Sequence, residues 1–329
     1  MARQDNQKLK ITYLMKIFSE KTDNEHGITM PMIIKALEDY GIHAERKGIY
    51  SDIDYLNDYG FEIEARKAGK GTAYYLVSRT FQLPELKLLV DSVQSAKFIT
   101  EKKSRELIKK LETLCSENEA KQLNRQVYVQ GRIKTMNESI LYNVDTIHSA
   151  INSNNKITFQ YWNWNVDKKM ELRKDGALYK VSPWGLSWDD ENYYLVAYDD
   201  ARQAIRHYRV DKMLHISVSD EKREGQDSYK GINMADYSRK TFGMQGGAVR
   251  TVTIECDNDF AGVMIDRFGK DIFMRKVDKD HFSINVPVAV SGQFIGWIIG
   301  LGDKVKITGP ADVVEEMRKE GQRIAEAYK

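Results

Sequence analysis

The chain has 329 residues, 42% of them hydrophobic and 30% charged, with a net charge of only +2. That length exceeds one ordinary core and fits two or three domains, while the composition is that of a globular protein and excludes disorder as the default. The small net charge excludes a strongly basic, nonspecific nucleic-acid binder, although a locally basic face is still allowed.

The two cysteines, Cys115 and Cys256, lie far apart without a Cys-x-x-Cys spacing and read as thiols in a reducing compartment. The polar start Met1–Gln7 lacks the apolar core of a signal peptide, and the longest apolar stretch, near Phe294–Leu301, is too short to span a bilayer. These features predict a cytoplasmic protein with no membrane partner.

In chain order, Leu9, Tyr13, Leu14, Ile17 and Phe18 recur at helical spacing. Thr29-Met30-Pro31 reads as a helix start, with Thr29 as N-cap and the helix stopping at Gly41. A third helix over about 44–59 places Ile49, Ile53 and Leu56 on one face. Two strands, Phe61–Ala65 and Ala73–Val77, then flank a turn at Gly69-Lys70-Gly71. Three helices followed by a hairpin is the order of a winged helix-turn-helix, predicted over residues 1–80.

Residues 81–137 read as helical, with Leu86, Leu89, Val90 and Val93 in one stripe and Leu107, Ile108, Leu111 and Leu114 in another. This region is either a helix pair packed on its neighbours or the seam of a homodimer, since helix-turn-helix proteins often bind paired half-sites. A helix over Glu138–Ile151 leads into an alternating strand, Lys156–Trp162. Strands around Tyr179–Trp184, Tyr193–Tyr198 and Ile205–Val210 follow, and their short, even spacing predicts a small barrel within residues 138–220. After a polar stretch, Asp220–Gly247, the order of elements over residues 248–329 is βαββαβ with one extra helix, pointing to a ferredoxin-like layer. The fold class is therefore α+β.

The segment Ser182-Pro183-Trp184-Gly185-Leu186, Tyr193-Tyr194-Leu195 and Arg206-His207-Tyr208-Arg209-Val210-Asp211-Lys212-Met213 resembles the WYL domain of bacterial transcriptional regulators. The Trp-Tyr-Leu triplet that names the family falls on Tyr193-Tyr194-Leu195. The family's Phe-Arg-Leu-Asp-Arg-Ile strand falls on Tyr208–Met213, with Arg209 as its first arginine. Lys212 replaces the second, keeping the charge but losing the bidentate fork. The stretch Arg46–Leu56 resembles the recognition helix that commonly precedes WYL domains, except that Gly48 stands where the family has a helix-favouring residue or Thr. The C-terminal region is similar to the extension that often follows such domains, with Trp297 as its tryptophan. The resemblance implies an Sm-like barrel that binds a nucleotide or single-stranded nucleic-acid effector, and a protein that is not an enzyme.

On this reading Arg46, Lys47, Tyr50 and Ser51 at the start of the third helix, with Lys70 at the wing tip, are the candidate contacts to a double-stranded DNA operator. The competing reading is an ordinary solvated helix face. Arg209 and Arg206 lead the candidate effector residues, followed by Tyr194, Ser182 and Lys212, because guanidinium groups clamp phosphates and rings stack bases. Arg206 and Arg209 alternate across an extended strand, so both meet one ligand only at a barrel edge or a bulge. The competing reading pairs Arg209 with Asp199 or Asp211 to close the barrel. Together these residues predict a DNA-binding regulator with an anion-sensing domain. The alternative is an accessory module that binds single strands and modulates a partner enzyme.

Several motifs carry no chemistry. Gly69-Lys70-Gly71-Thr72 lacks P-loop spacing, the six histidines show no metal-ligand spacing, and no Gly-x-Ser-x-Gly appears. No cofactor is predicted.

Overall fold

The computed structural model describes residues 2–123, 134–229, 240–244 and 247–329. The chain divides into two compact units, Met1–Met136 and Asn137–Lys329.

In the first unit, helix α1 (Ala2–Lys21) is followed by strand β1 (Ile28–Thr29), helix α2 (Met30–Asp39) and helix α3 (Arg46–Asp58). Strands β2 (Ile63–Ala68) and β3 (Gly71–Leu76) form an antiparallel hairpin, and β1 adds to the far side of β3. Leu14, Phe18, Ile33, Leu37, Ile49, Ile53 and Leu56 are buried in one core, so the helical periodicity in the sequence marks true packing faces. The expected Thr29 cap is not made. Thr29 has N-cap geometry, but its side chain accepts no capping hydrogen bond, and its backbone pairs with Ala73 of β3. Two residues of β pairing are too few to leave a periodic signal, so the short strand is not legible in the sequence.

Helix α3 starts at Arg46, which puts Gly48 in its first turn. A Cβ there would stand 3.2 Å from the Lys10 ammonium, which pairs with Asp52 at 2.8 Å. Gly48 thus gives Lys10 its passage to Asp52.

Helices α4 (Leu83–Ser95), α5 (Glu101–Glu112) and α6 (Glu117–Leu123) complete this unit. Leu86, Val90, Cys115 and Leu123 form their core, with Ile108 and Leu111 packed against it. Leu88, Leu89 and Leu114 face outward, so the predicted stripes are split between the unit's own packing and solvent. Arg79 and Asp23 fix these helices to α1. The Arg79 guanidinium donates to the Ser19 and Thr22 carbonyls at the end of α1, and the Ser116 hydroxyl donates to Asp23 at 2.5 Å. Burial works against ionisation of Asp23, but Ser116, two backbone N–H groups and His26 hold its carboxyl below the usual range.

The second unit opens with helix α7 (Ile140–Asn152) and strand β4 (Asn155–Trp164). Strands β5 (Met170–Leu172), β6 (Tyr179–Asp189), β7 (Asn192–Asp199), β8 (Ala204–Arg209) and β9 (Met213–Lys222) follow. They form an antiparallel sheet of order β5-β4-β6-β7-β8, with β9 also on β4. The sheet curls as a half-barrel around stacked and edge-on rings of Phe159, Tyr161, Tyr179 and Tyr208. Strands β5 and β9 are additions to the sequence reading. The register of β9 on β4 shifts twice, and His215 adopts a left-handed φ of 51°, which breaks the alternation that marks a strand.

After helix α8 (Gln226–Tyr229) come β10 (Val249–Asp257), helix α9 (Ala261–Phe268), β11 (Met274–Lys276), β12 (His281–Ala289), helix α10 (Gly292–Gly300), β13 (Val305–Gly309) and helix α11 (Ala311–Ala327). The sheet order is β11-β12-β10-β13, antiparallel throughout. Its core joins Val252, Ile254, Ile284 and Val286 to Met264, Phe294 and Ile298 of the helices. Both cysteines are buried and free, and burial pushes the Cys115 and Cys256 thiols up to about 11 and about 12.

Candidate functional sites

In the first unit, Ile49, Ile53 and Leu56 turn one face of α3 inward and leave Arg46, Lys47, Tyr50 and Ser51 on the exposed side. Lys70 is also exposed, in the two-residue turn that closes the hairpin after the pair Ala68 and Gly71. Gly69 precedes it with φ 58°, the backbone that such a tight turn requires at its first position. A groove of about 440 Å³ runs between the start of α3 and the hairpin, lined by Arg46, Tyr50, Thr72, Tyr74, Met30 and Pro31. Burial, together with the neighbouring Tyr50, raises the Tyr74 hydroxyl. Sequence reasoning missed Lys67, which is exposed on β2, and Thr72; their alternation along the hairpin was the available signal. The carboxylate of Asp52, on α3, is occupied by Lys10.

In the second unit, the half-barrel brings Arg209, Lys212 and Tyr194 together. Tyr194 stands directly opposite Arg209 across β7 and β8. The Arg209 guanidinium makes a two-point pair with Asp211, Nε to Oδ1 at 3.0 Å and Nη2 to Oδ2 at 2.9 Å, and Nη2 also donates to Asn192 Oδ1 at 2.9 Å. Its backbone N–H donates to the Tyr161 hydroxyl. Burial alone would lower the Arg209 guanidinium, but Asp211 keeps it above the usual range. The pairing with Asp211 is therefore real, while Asp199 instead accepts from the Tyr208 hydroxyl at 2.9 Å. A guanidinium fixed in this way is a rigid donor whose remaining nitrogen, Nη1, is unpartnered among the described residues.

Lys212 donates to Asn163 Oδ1 at 3.2 Å. Burial lowers its ammonium, and the charges of Arg209 and Arg173 lower it further against the pull of Asp211. Burial likewise raises the Tyr194 hydroxyl and pushes Tyr161 up to about 12.

Arg206 and Ser182 do not join this cluster. The register of β8 on β7 runs without a bulge, so Arg206 pairs with Ala197 on the face opposite Arg209. The strand is an edge, which meets one of the two conditions for a shared ligand. Ser182 is fully buried and accepts the Glu224 backbone N–H at 2.9 Å, a structural anchor with no open face.

Sequence reasoning missed Arg173, Asn163, Asn192 and Tyr161. The signal for Arg173 was the run Arg173-Lys174-Asp175-Gly176, a basic pair leading into a turn. That turn is left-handed, with φ 54° at Lys174, 53° at Asp175 and 82° at Gly176. Each non-glycine residue held there costs about 1–2 kcal/mol, so other contacts must fix it. Gln160 Nε2 donates to the Gly176 carbonyl at 2.6 Å, and the Lys174 ammonium sits 4.1 Å over the Tyr179 ring.

Among the described residues, no group of three or more His, Cys, Asp and Glu side chains is arranged to hold a metal ion. No helix among them is long and apolar enough to cross a membrane.

The half-barrel bearing this cationic mouth is a WYL domain: the family model of that description matches residues 142–218. Further along the chain, a second family model, described as the WCX domain, matches residues 248–325. Two solved structures resemble it. One is proteasome accessory factor B/C (PafBC) of Arthrobacter aurescens, at 18% identity and a TM-score of 0.27, over 95% of this chain and 46% of that one. The other is a CRISPR Cas-related protein, at 14% identity and a TM-score of 0.36, over 90% of this chain and 77% of that one. The chain thus spans about half the length of PafBC. No curated protein matches it.

Proposed function

We propose that this protein is a DNA-binding transcription regulator of the cytoplasm, without enzymatic activity, whose WYL domain receives an anionic nucleotide or nucleic-acid effector. The observation that carries the reading is the mouth of the WYL half-barrel, where Arg209, held by Asp211, and Lys212, bonded to the neutral Asn163 oxygen, stand together and half-buried. A half-buried ammonium beside a second cation, with only a neutral oxygen as its own partner, favours a bound anion.

The order of helices and hairpin in the first unit supports a winged helix-turn-helix. There α3 is the recognition helix, and Arg46, Lys47, Tyr50 and Ser51 meet a duplex that Lys70 touches from the wing. The βαββαβ order and the sheet order β11-β12-β10-β13 support a ferredoxin-like WCX domain. The outward Leu88, Leu89 and Leu114 are suited to a homodimer seam, which would pair two heads on a two-fold operator.

Selection of bound duplexes from a random pool tests the reading, run with and without short single-stranded DNA and cyclic nucleotides. Enrichment of a pseudo-palindrome whose occupancy changes with one of these effectors is the expected result. Retention of single strands alone, with no enriched duplex, would overturn it in favour of an accessory single-strand-binding module.

A further inference from the structure

The anion cluster has an internal charge balance that restricts its ligand. Arg209 is already matched by the two-point pair with Asp211, so its charge is balanced inside the protein. Among the described residues, Lys212 has only the neutral Asn163 oxygen as hydrogen-bond partner. Arg173 is exposed, and among the described residues it makes no hydrogen bond or ion pair; it directly follows β5, whose Glu171 and Leu172 pair with Asn163 and Trp162, so it leaves the sheet beside the Asn163 that holds Lys212. Two unmatched cations therefore approach one mouth from two separate elements, the turn after β8 and the turn after β5.

The turn after β5 is built to stay where it is. Three consecutive residues, Lys174, Asp175 and Gly176, hold left-handed backbone. The loop is tied to the barrel wall by Gln160, whose amide nitrogen donates to Gly176 O and whose amide oxygen contacts His215 Nδ1 at 2.7 Å. Lys174 is fixed over the Tyr179 ring, and the Ala177 N–H closes the turn on the Lys174 carbonyl at 2.9 Å. Backbone strain of this kind persists where surrounding contacts over-determine it, and ligand clamps are a common place for it. Here the strained turn presents one free guanidinium beside the cationic mouth.

We infer that the left-handed turn Arg173–Gly176 is a second anion clamp, so that the site takes a ligand with two phosphate groups, one held by Arg209 and Lys212 and the other by Arg173. This rests on the reading of the WYL mouth as the effector site and adds the number and placement of the ligand's charges. A nucleoside monophosphate fills one clamp; a 5′-phosphorylated dinucleotide or a longer strand fills both. Gln160 is a positioning residue, acting on the ligand only through the turn.

Titration calorimetry with thymidine 5′-monophosphate and with the 5′-phosphorylated thymidine dinucleotide separates the possibilities. The full chain is expected to bind the dinucleotide at least tenfold more tightly. Arg173→Ala is expected to bring that ratio near one, and Gln160→Ala to reduce it while the Arg173 charge is still present. A ratio near one in the unaltered protein, or a ratio that Arg173→Ala leaves unchanged, overturns the inference. Lys212→Met tests the underlying reading separately, because Lys212 has no buried carboxylate to strand. If it leaves both affinities unchanged the mouth is not the effector site, whereas loss of both affinities with an Arg173-independent ratio sinks only the second clamp.

Discussion

The two basic surfaces of this protein are built on opposite plans. On α3 and the hairpin, Arg46, Lys47 and Lys70 stand in solvent on elements whose other faces supply the core. In the WYL mouth, Arg209 and Lys212 are partly withdrawn from water and each is tied to a neighbouring side chain. Exposed cations keep their hydration, act through a screened field and adapt to a long polyanion. Half-buried cations have already lost part of their hydration, so they discriminate by geometry and leave a deficit when a partner is removed. One surface suits the repeated phosphates of a duplex, the other a small anion of defined shape.

Removing Arg209 should show the largest difference between the two plans. Asp211 keeps only 9% of its side-chain surface in water, so Arg209→Ala strands a carboxylate and frees Asn192 Oδ1. A loss of about 3 kcal/mol in urea unfolding of the second unit is expected. Arg209→Ala combined with Asp211→Ala should recover most of it, and a single variant as stable as the parent would mean the pair is not coupled to the fold.

Acid should distinguish the regions next. Burial, aided by Arg206, pushes the His207 imidazole down to about 4 from the ordinary 6.5. The folded state therefore binds the proton less readily than the unfolded chain. The stabilisation from neutral His207 is complete above about pH 6.5 and is lost as pH falls toward 4. Between pH 7 and pH 5 this amounts to about 2 kcal/mol. Urea unfolding at the two pH values should show that loss in the parent and not in His207→Gln. Equal losses in both would assign the acid sensitivity elsewhere.

The same contrast explains what was legible in the sequence. The head was readable because its helices are amphipathic: Ile49, Ile53 and Leu56 mark the inner face, and the exposed candidates follow by subtraction. In the barrel, Phe159, Tyr161, Tyr179 and Tyr208 announced strands, and Arg209 stood out as a charge among them. The mouth was harder because its parts come from distant turns. Arg173, Asn163 and Asn192 are ordinary polar residues until the sheet curls and sets them beside Lys212 and Arg209. Ser182 failed for a related reason, since no alternation rule says that a later segment will lay the Glu224 N–H over its hydroxyl.

Changes on the head should cost no stability. Arg46→Ala with Lys47→Ala removes exposed side chains, so unfolding should shift by less than about 0.5 kcal/mol. Affinity for a selected duplex should nevertheless fall, and the slope of log affinity against log salt should flatten by roughly 0.9 for each phosphate no longer neutralised. Lys70→Ala is the smallest change of the set. Its turn is set by Gly69 at φ 58° and by the pairing of Ala68 with Gly71, neither of which involves the Lys70 side chain. The hairpin should therefore keep its register, and only one wing-tip charge is removed. A few-fold drop in duplex affinity is expected, with a slope change of about 0.9 and no dependence on operator sequence. Fluorescence anisotropy across a salt series on matched and mismatched duplexes checks this. A sequence-dependent loss would make Lys70 a reader of bases, and an unchanged slope would take the wing tip off the DNA.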